Sequence, residues 1–305
     1  MERIERATLA DLLLVGLTAL IWASAFTAIK VAVPETGAYW LAAIRVLLGF
    51  IVLLPYALWK GLLFPQDSRT WWLLIGMSLL NVVFPFLLIS WAELHIDAGV
   101  TALLMGTAPF FALVGSHLFT DDDKLAATKL IGVAFGFCGV MVIVGYDALA
   151  GLGGSNLLAQ FACFLGSMCY VTAGLLIRRI DIPPGRLACL ALGTSSIALV
   201  ALAFAVDGAP STDLTATAAF ALVYLGILPT GLAYILRFYL IRKIGYSTFA
   251  MGLNLIPGFG VFLGIWLLGE PLSARIILAL ALVVCGLFIA RIEPKKRTPE
   301  HAAHD

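Results

Sequence analysis

The strongest constraint on the fold is that the chain resembles itself at a shift of 148 positions. At this shift Trp22 aligns with Tyr170, and Lys30 aligns with Arg178. The same shift aligns Ser24 with Thr172, Trp91 with Tyr239, Ala102 with Ala250, and Pro109 with Pro257. Each half contains five apolar stretches that are long enough to cross a bilayer. Because five is an odd number, the two halves are expected to lie in opposite orientations in the membrane.

The composition is that of an integral membrane protein. Hydrophobic residues make up 62% of the chain and charged residues only 12%, whereas a soluble chain of 305 residues needs far more polar surface. The net charge of +1 creates no strong field that would attract nucleic acid. The sequence therefore predicts a lipid bilayer and a small-molecule substrate as partners. No paired ligand spacing indicates a metal, and no cofactor is predicted; the cysteines lie singly in apolar stretches, at Cys138, Cys163, Cys169, Cys189 and Cys285.

The apolar stretches are continuous rather than alternating, which favours helices over the strands of a barrel. We expect an all-α protein with ten transmembrane helices arranged as two inverted five-helix repeats. The predicted spans are 11–33, 38–59, 71–92, 98–119, 126–145, 156–178, 187–206, 216–237, 246–268 and 273–291. Turn residues separate them, as in the stretch 34–37, which reads Pro-Glu-Thr-Gly. The predicted repeat boundaries are 1–148 and 149–293, and a polar tail follows at 294–305.

The distribution of positive charge predicts the orientation. With the N-terminus inside, the inner side carries all of the 19 Lys and Arg residues except Lys30, Arg45 and Arg275. We therefore expect both termini in the cytoplasm. The first apolar stretch is about 22 residues long and is interpreted as a retained helix rather than a signal peptide. The short loops leave no room for a soluble catalytic domain.

Three segments carry a family resemblance: residues 21–26 (Ile-Trp-Ala-Ser-Ala-Phe), 98–109 and 247–272. In these the chain resembles the drug/metabolite transporter superfamily, specifically its ten-helix type built from two EamA domains. Within that superfamily it is most similar to the YddG-type exporters of aromatic amino acids and paraquat. The resemblance implies an exporter of amino acids or related metabolites in the inner (plasma) membrane, with a central cavity between the halves. One departure is that Glu270 corresponds to the acidic run 121–123 only with a slip of one residue.

Polar and aromatic side chains at depth are the candidates for a substrate cavity. By the predicted boundaries no Asp or Glu lies in the middle of a span, which argues against an intramembrane carboxylate relay. Hydroxyl, amide and aromatic groups can bind neutral or zwitterionic solutes, whereas a doubly charged phosphate needs clustered cations. For each residue taken alone, packing between helices is the alternative role. The candidates are Trp22, Ser24, Thr27, Asn81, Thr107, Tyr170, Tyr224, Thr230, Tyr234 and Asn254, of which Trp22 and Tyr170 are related by the repeat.

Four charged or titratable residues share one membrane level near the outer surface: Lys30, Arg45, Glu93 and His95. They are interpreted as an outer gate or as a docking point for a substrate carboxylate. The alternatives are a Lys30–Glu93 ion pair that locks helices together, or simple snorkelling to the interface. The repeat partner of Lys30 is Arg178, which is expected to form the matching inner gate or to act as a positive anchor on the cytoplasmic side.

Two prolines, Pro109 and Pro257, lie in the middle of their predicted spans. A proline inside a helix removes one backbone hydrogen bond, and the freed carbonyl then needs a partner in protein or cavity water. We expect both helices to be kinked and to line the substrate path, with a purely structural kink as the alternative. Close helix packing within the chain is predicted at the pairs Gly132/Gly136 and Gly260/Gly264.

These features predict a secondary transporter of a small, polar-to-aromatic solute that works by alternating access. The family resemblance implies that the solutes are amino acids, including aromatic ones, and that they are exported. The chain contains no phosphate-binding motif for ATP and no hydrolase or zinc-protease motif, so an enzyme is not expected. The alternatives are a transporter of drugs, sugar phosphates or nucleotide sugars, and a facilitator without ion coupling. The sequence does not fix the oligomeric state, although a monomer is favoured.

Overall fold

The computed structural model describes residues 7–61, 64–108, 110–111, 127–149, 155–177, 179–244, 249 and 252–289, and every regular element within them is helical. The α-helices are α1 Leu9–Trp59, α2 Ser68–Ser78, α3 Phe84–Ala92, α4 Ala98–Met105, α5 Ala127–Leu149, α6 Ser155–Ile177, α7 Pro184–Asp207, α8 Ala216–Leu225, α9 Ala233–Ile244, α10 Ile256–Leu268 and α11 Ala274–Ile289. A π turn at Leu79–Val83 joins α2 to α3, and a second at Gly226–Leu232 joins α8 to α9. A 3₁₀ turn at Leu253–Leu255 precedes α10.

Helix α1 covers the first two predicted spans. It begins with a capping box, in which Thr8 Oγ1 accepts a hydrogen bond from the Asp11 backbone N–H and the Asp11 carboxylate accepts one from Thr8. Its 51 residues would extend roughly 77 Å as one straight helix, more than twice the thickness of the hydrocarbon core. The helical geometry is broken at Gly37, where φ is 71°. A left-handed φ of this kind suits glycine, and the break falls at the predicted turn 34–37.

Five segments of the described chain are long and apolar enough to cross a membrane: Leu9–Trp59, Ser68–Ala92, Asn156–Gly174, Pro184–Asp207 and Ala216–Arg237. Shorter apolar helices lie at Leu130–Ile143, Leu253–Leu268 and Ala274–Ile289. Large apolar side chains such as Trp72 and Phe220 are exposed, as expected of a surface that faces lipid. The predicted class, an all-helical multi-span membrane protein, is confirmed. Ten crossings and cytoplasmic termini stay predictions, and most of span 98–119 beyond residue 111 lies outside the described residues.

The two halves of the chain interlock through several helix pairs. Helix α11 packs along α5, α10 packs on α4, α3 packs on α6, and α1 packs on α7 and α8. A Cβ at Gly260 would overlap that of Ala102 on α4, and a Cβ at Gly286 on α11 would lie 2.6 Å from the Gly132 carbonyl on α5. The predicted glycine pairs therefore contribute to contacts within the chain, where the absence of a side chain lets two helices approach closely.

Candidate functional site

Residues from both halves meet at one cluster in the interior, which we call the central cluster. It is formed by both arms of α1, by α3 and α6, and by the second π turn together with α9. Apolar residues such as Val46 and Leu192 pack around it. Arg45, Phe86 and Thr230 are buried, and the three other members are half-buried. The central cluster comprises Trp22, Arg45, Phe86, Tyr170, Thr230 and Tyr234.

Trp22 is fixed at both its polar and its apolar side. The indole Nε1 donates a hydrogen bond of 3.1 Å to the Pro229 carbonyl in the second π turn. The ring meets Tyr234 edge-on at a centroid distance of 6.4 Å and Phe249 at 6.0 Å. Edge-to-face contacts at this distance are favourable for aromatic pairs. Trp22 thus connects the first arm of α1 to the second half of the chain.

Arg45 is the charged member of the central cluster. It lies on the second arm of α1, roughly 12 Å along the helix from the break at Gly37, and its side chain is 6% exposed. The guanidinium lies over the Phe86 ring at 4.1 Å. Nε and Nη2 point to Thr230 Oγ1 at 3.4 and 3.3 Å. Tyr170 and Tyr234 pack against the same apolar residues. The sequence interpretation grouped Arg45 with Lys30, Glu93 and His95; the described contacts join it to Phe86 and Thr230 of the central cluster.

The two π turns occupy repeat-related positions, since Asn81 in the first corresponds to Pro229 in the second at the shift of 148. Each turn adds one residue to a helical turn and is accompanied by a proline, Pro85 just after the first and Pro229 within the second. The sequence interpretation missed these turns. The prolines were the available signal, but a proline alone does not specify a π turn.

The remaining cavity candidates come from the first, third and eighth predicted spans. Ser24 Oγ and Tyr224 OH are 2.5 Å apart and join α1 to α8. Thr27 Oγ1 is buried without a hydrogen-bond partner. Asn81 lines a pocket next to Tyr234, with a volume of about 80 Å³. Solute sites usually measure roughly 300–1,000 Å³, so substrate entry at this pocket requires the helices to separate.

The remaining sequence candidates lie at helix ends or in the turns beside them: Thr107, Asn254 and Pro257. Thr107 Oγ1 donates to the Leu104 carbonyl at 2.6 Å, a bond local to the end of α4. Asn254 lies in the 3₁₀ turn before α10. Pro257 lies in the first turn of α10 rather than inside a continuous helix, so its missing N–H removes no bond there. Pro109 lies outside the described residues.

At the end of α3, Lys30 contacts the backbone of Glu93 rather than its side chain. Lys30 Nζ donates to the backbone carbonyls of Glu93 at 2.8 Å and Ile96 at 2.7 Å. A cation at this position complements the partial negative charge of a helix C-terminus. The Glu93 side chain is 0% exposed, and neither carboxylate oxygen has a hydrogen-bond partner. Lys30 therefore contacts the backbone of Glu93 and not its carboxylate, unlike the ion pair considered from the sequence, and the outer gate stays a prediction. Arg178, its proposed inner counterpart, lies outside the described residues.

Two further contacts tie the halves together. The Glu270 carboxylate accepts hydrogen bonds from the backbone N–H groups of Ala98 at 2.7 Å and Gly99 at 2.9 Å, and so caps α4. Burial raises the pKa of Glu270. Elsewhere, Lys243 Nζ forms an ion pair of 2.9 Å with the buried carboxylate of Asp11. The sequence interpretation missed the Asp11 pair. Among the described residues no cluster of His, Cys, Asp and Glu is placed to hold a metal ion.

Comparison with known proteins identifies the family. The EamA-like transporter family matches residues 9–145 and again residues 157–292. The chain belongs to this family. Its transporter character, predicted from the resemblance, is thereby confirmed, and family members are transporters rather than enzymes. The drug/metabolite transporter superfamily, to which the EamA family belongs, is likewise confirmed, while the YddG-type likeness stays a prediction.

Curated relatives of this EamA-family transporter cover most of its length. It is 26% identical to the uncharacterized transporter YoaV of Bacillus subtilis, over 88% of this chain and 92% of that protein. It is 26% identical to a probable terminal-alkyne amino-acid exporter of Streptantibioticus cattleyicolor, over 90% of both chains. It is 26% identical to the inner membrane transporter YedA of Escherichia coli K12, over 90% of this chain and 88% of YedA. A solved crystal structure with 22% identity shares the fold, with a TM-score of 0.65 over 93% of this chain and 98% of that one.

Replacing Glu93 with glutamine is expected to raise the melting temperature of the transporter at neutral pH. Glu93 follows the segment Ser68–Ala92, and burial raises the pKa of its carboxyl well above the usual range. The native state then holds the proton more tightly than the unfolded chain does. Stability is consequently highest below the unfolded pKa of about 4.3 and falls as pH rises toward the folded pKa.

The measurement is thermal unfolding in detergent between pH 4.5 and 8. The melting temperatures of Glu93→Gln and the native protein are expected to be closest at the acidic end and to diverge as pH rises, because the amide carries no charge. Asp181→Asn, at an exposed carboxylate, is the control and should show no such divergence. A variant that is less stable than the native protein at every pH would show that the carboxylate has a stabilising partner.

Proposed function

We propose that this EamA-family transporter exports amino acids, including aromatic ones, and related metabolites across the inner membrane. The observation that carries the proposal is the central cluster, where indole, phenol, hydroxyl and guanidinium groups lie between the halves of the chain. A lining of this kind binds zwitterionic and flat solutes through a few hydrogen bonds and ring contacts. Two relatives, one named as an amino-acid exporter and one as an inner membrane transporter, support the solute class and the membrane.

The proposed mechanism is alternating access by a monomer. Two inverted five-helix repeats, 1–148 and 149–293, rock against each other around the central cluster, with both termini in the cytoplasm. In this orientation the Asp11–Lys243 pair closes the inner side. The Glu270 cap on α4 closes the outer side. Each side opens when its contacts break while those of the other side hold.

The gate assignments belong to the same proposal. Lys30 and Glu93 are proposed as the outer gate because they join the first arm of α1 to the end of α3. Arg178 is proposed as the inner gate through its repeat relation to Lys30. We also propose that the transporter is of the YddG type, which the aromatic members of the central cluster favour.

Uptake of radiolabelled phenylalanine and leucine into proteoliposomes tests the proposal. We expect saturable flux in the native protein and roughly a five- to thirtyfold loss of phenylalanine flux in Trp22→Ala, since an aromatic contact in a site contributes about 1–2 kcal/mol. Trp72→Ala is the matched control, because Trp72 is 73% exposed and lies outside the central cluster. Melting temperatures of both variants separate lost binding from lost folding.

The result against the proposal is the absence of saturable flux for every amino acid in the native protein. A competition panel with a cationic drug, a sugar phosphate and a nucleotide sugar then shows which alternative class is carried. Flux with and without a pH gradient separates a proton antiporter from an uncoupled facilitator.

A further inference from the structure

The Arg45 guanidinium is a buried cation with unused hydrogen-bonding capacity. Arginine carries five N–H donors, and the acceptor that the described residues offer is the Thr230 hydroxyl. Both distances, 3.4 and 3.3 Å, exceed the roughly 2.7–3.2 Å of a good N–H···O bond. The Thr230 hydroxyl in turn donates its own proton to the Leu225 carbonyl at 2.8 Å. Most of the donors of this cation are therefore left for another acceptor.

Arg45 also lacks an anionic partner within the described part of the chain. The ion pair described in that part of the chain joins Asp11 to Lys243 and does not involve Arg45. The carboxyl group of the buried Glu93 does not bind the guanidinium either, since neither of its oxygens has a hydrogen-bond partner. A buried charge without a counter-ion costs several kcal/mol, and an anion that reaches it is bound in a low-dielectric environment.

The groups around Arg45 can accommodate the rest of a zwitterionic aromatic solute. Trp22 is bonded to the Pro229 carbonyl, and Arg45 contacts the next residue, Thr230. Tyr234, one turn further along, meets Trp22 edge-on. The guanidinium and the indole are thus held by neighbouring residues of one π turn. When the carboxylate of an aromatic amino acid binds the Arg45 guanidinium, its aromatic ring can reach the Trp22 indole. The two N–H groups on one edge of the guanidinium can each bind one carboxylate oxygen.

Only one of the two repeat-related positions carries this cation. At the shift of 148 the position of Arg45 is taken by Gly193, where a Cβ would lie 3.0 Å from the Phe50 ring. A guanidinium at only one of the two repeat-related positions suits one carboxylate in one orientation. The neighbouring cation Arg237 lies over the Tyr234 ring at 5.9 Å and lines the pocket that contains Asn81. We propose that Arg45 binds the carboxylate of the exported solute and so restricts the substrates to amino acids and related monocarboxylates. This inference rests on the proposed function and names the group by which the substrate is recognised.

A ligand series on the native protein tests the inference without any mutation. Phenylalanine, phenylalaninamide and phenethylamine share the ring and the amine, but only phenylalanine has a carboxylate. In competition with labelled phenylalanine, the two analogues are expected to bind at least about tenfold more weakly, the loss of one charge-assisted contact. Equal competition by phenylalanine and its amide would overturn the inference.

Variants at Arg45 then test whether this residue causes the preference for ligands with a carboxylate. Arg45→Gln is expected to raise the KM for phenylalanine at least about tenfold while leaving inhibition by phenethylamine unchanged. Arg45→Lys, which keeps the charge but not the fork, should restore part of the affinity. Arg179→Gln, at an exposed arginine, is the control. A purely structural role of Arg45 is indicated, and the inference fails, if both ligands weaken equally in a variant that remains folded.

Amino-acid transport and carboxylate binding by Arg45 can be disproved separately. Transport of amino acids without any preference for a carboxylate contradicts the role of Arg45 alone. If no amino acid is transported or bound, the proposed function fails, and thermal shift with 3-phenylpropionate and its amide decides the carboxylate site separately. Stabilisation of the native protein by the acid, lost in Arg45→Gln, supports the site; equal shifts with the amide, or no shift with either, count against it.

Discussion

Replacing Gly260 with alanine is expected to lower the melting temperature of the transporter by roughly 3 to 10 °C. Gly260 on α10 faces Ala102 on α4, and the added methyl would overlap the Ala102 Cβ. Both carbons are attached directly to helix backbones, so the clash can be relieved only by moving one helix away from the other. Overpacking of this kind typically costs about 1–3 kcal/mol. Thermal unfolding in detergent, followed by size-exclusion chromatography, measures the loss.

Two companion variants make this test specific. Gly258→Ala adds the same methyl group two residues earlier on α10, where no atom lies within 4 Å, and is expected to change the melting temperature little. Ala102→Gly removes the group that the Gly260→Ala methyl would overlap, and the double variant is expected to recover much of the lost stability. A similar loss at Gly258 and Gly260, or no recovery in the double variant, would show that the α4–α10 contact is not as close as described.

Glu270→Ala is expected to destabilise the transporter by about 3 to 5 kcal/mol. Its carboxylate accepts two backbone hydrogen bonds, from Ala98 and Gly99, and each bond to a charged group contributes about 1.5–3 kcal/mol. Alanine would leave both N–H groups at the start of α4 without their acceptor, in a region that is partly shielded from water. The free energy of unfolding from denaturant titration in detergent measures the effect.

The chain offers two graded controls for Glu270. Glu270→Gln keeps one side-chain oxygen as an acceptor and is expected to lose about half as much stability. Glu35→Ala removes a similar bidentate contact, to the Thr215 backbone N–H and hydroxyl at 2.7 Å each, but at an exposed position. Water can replace the carboxylate there, so the expected loss is about 1 kcal/mol or less. A loss at Glu35 as large as that at Glu270 would contradict the assignment of α4 capping as the main role of Glu270.

Much of the architecture could be predicted from local sequence features. Continuous apolar stretches are sufficient to predict membrane helices, because a buried backbone in lipid must satisfy its own hydrogen bonds. The Pro-Glu-Thr-Gly stretch at 34–37 predicted the break in α1, since only glycine adopts φ of 71° without strain. The glycine pairs predicted close helix contacts within the chain, and Gly132 and Gly260 lie at such contacts.

The candidate site was predicted less completely, because its contacts join residues that are far apart in sequence. Trp22, Tyr170, Thr230 and Tyr234 were predicted as cavity residues, and the structure brings them to one cluster. Arg45 was not predicted as a member of this cluster, because the direction of its long side chain depends on the neighbouring helices. The burial of Glu93 without a hydrogen-bond partner was also missed, because a charge at the end of a span is normally solvated.

The sequence by itself determined the class of protein, its helical segments, the break at Gly37 and its EamA family, since hydrophobicity, backbone restrictions and ancestry are all properties of the linear chain. Only the tertiary structure decided which polar groups face each other. Arg45 and Thr230 are brought together by the packing of α1 against the second π turn, and so are Trp22 and Pro229. Contacts between such distant residues depend on how each helix is rotated about its axis, and that rotation is set by the packing of all the helices at once.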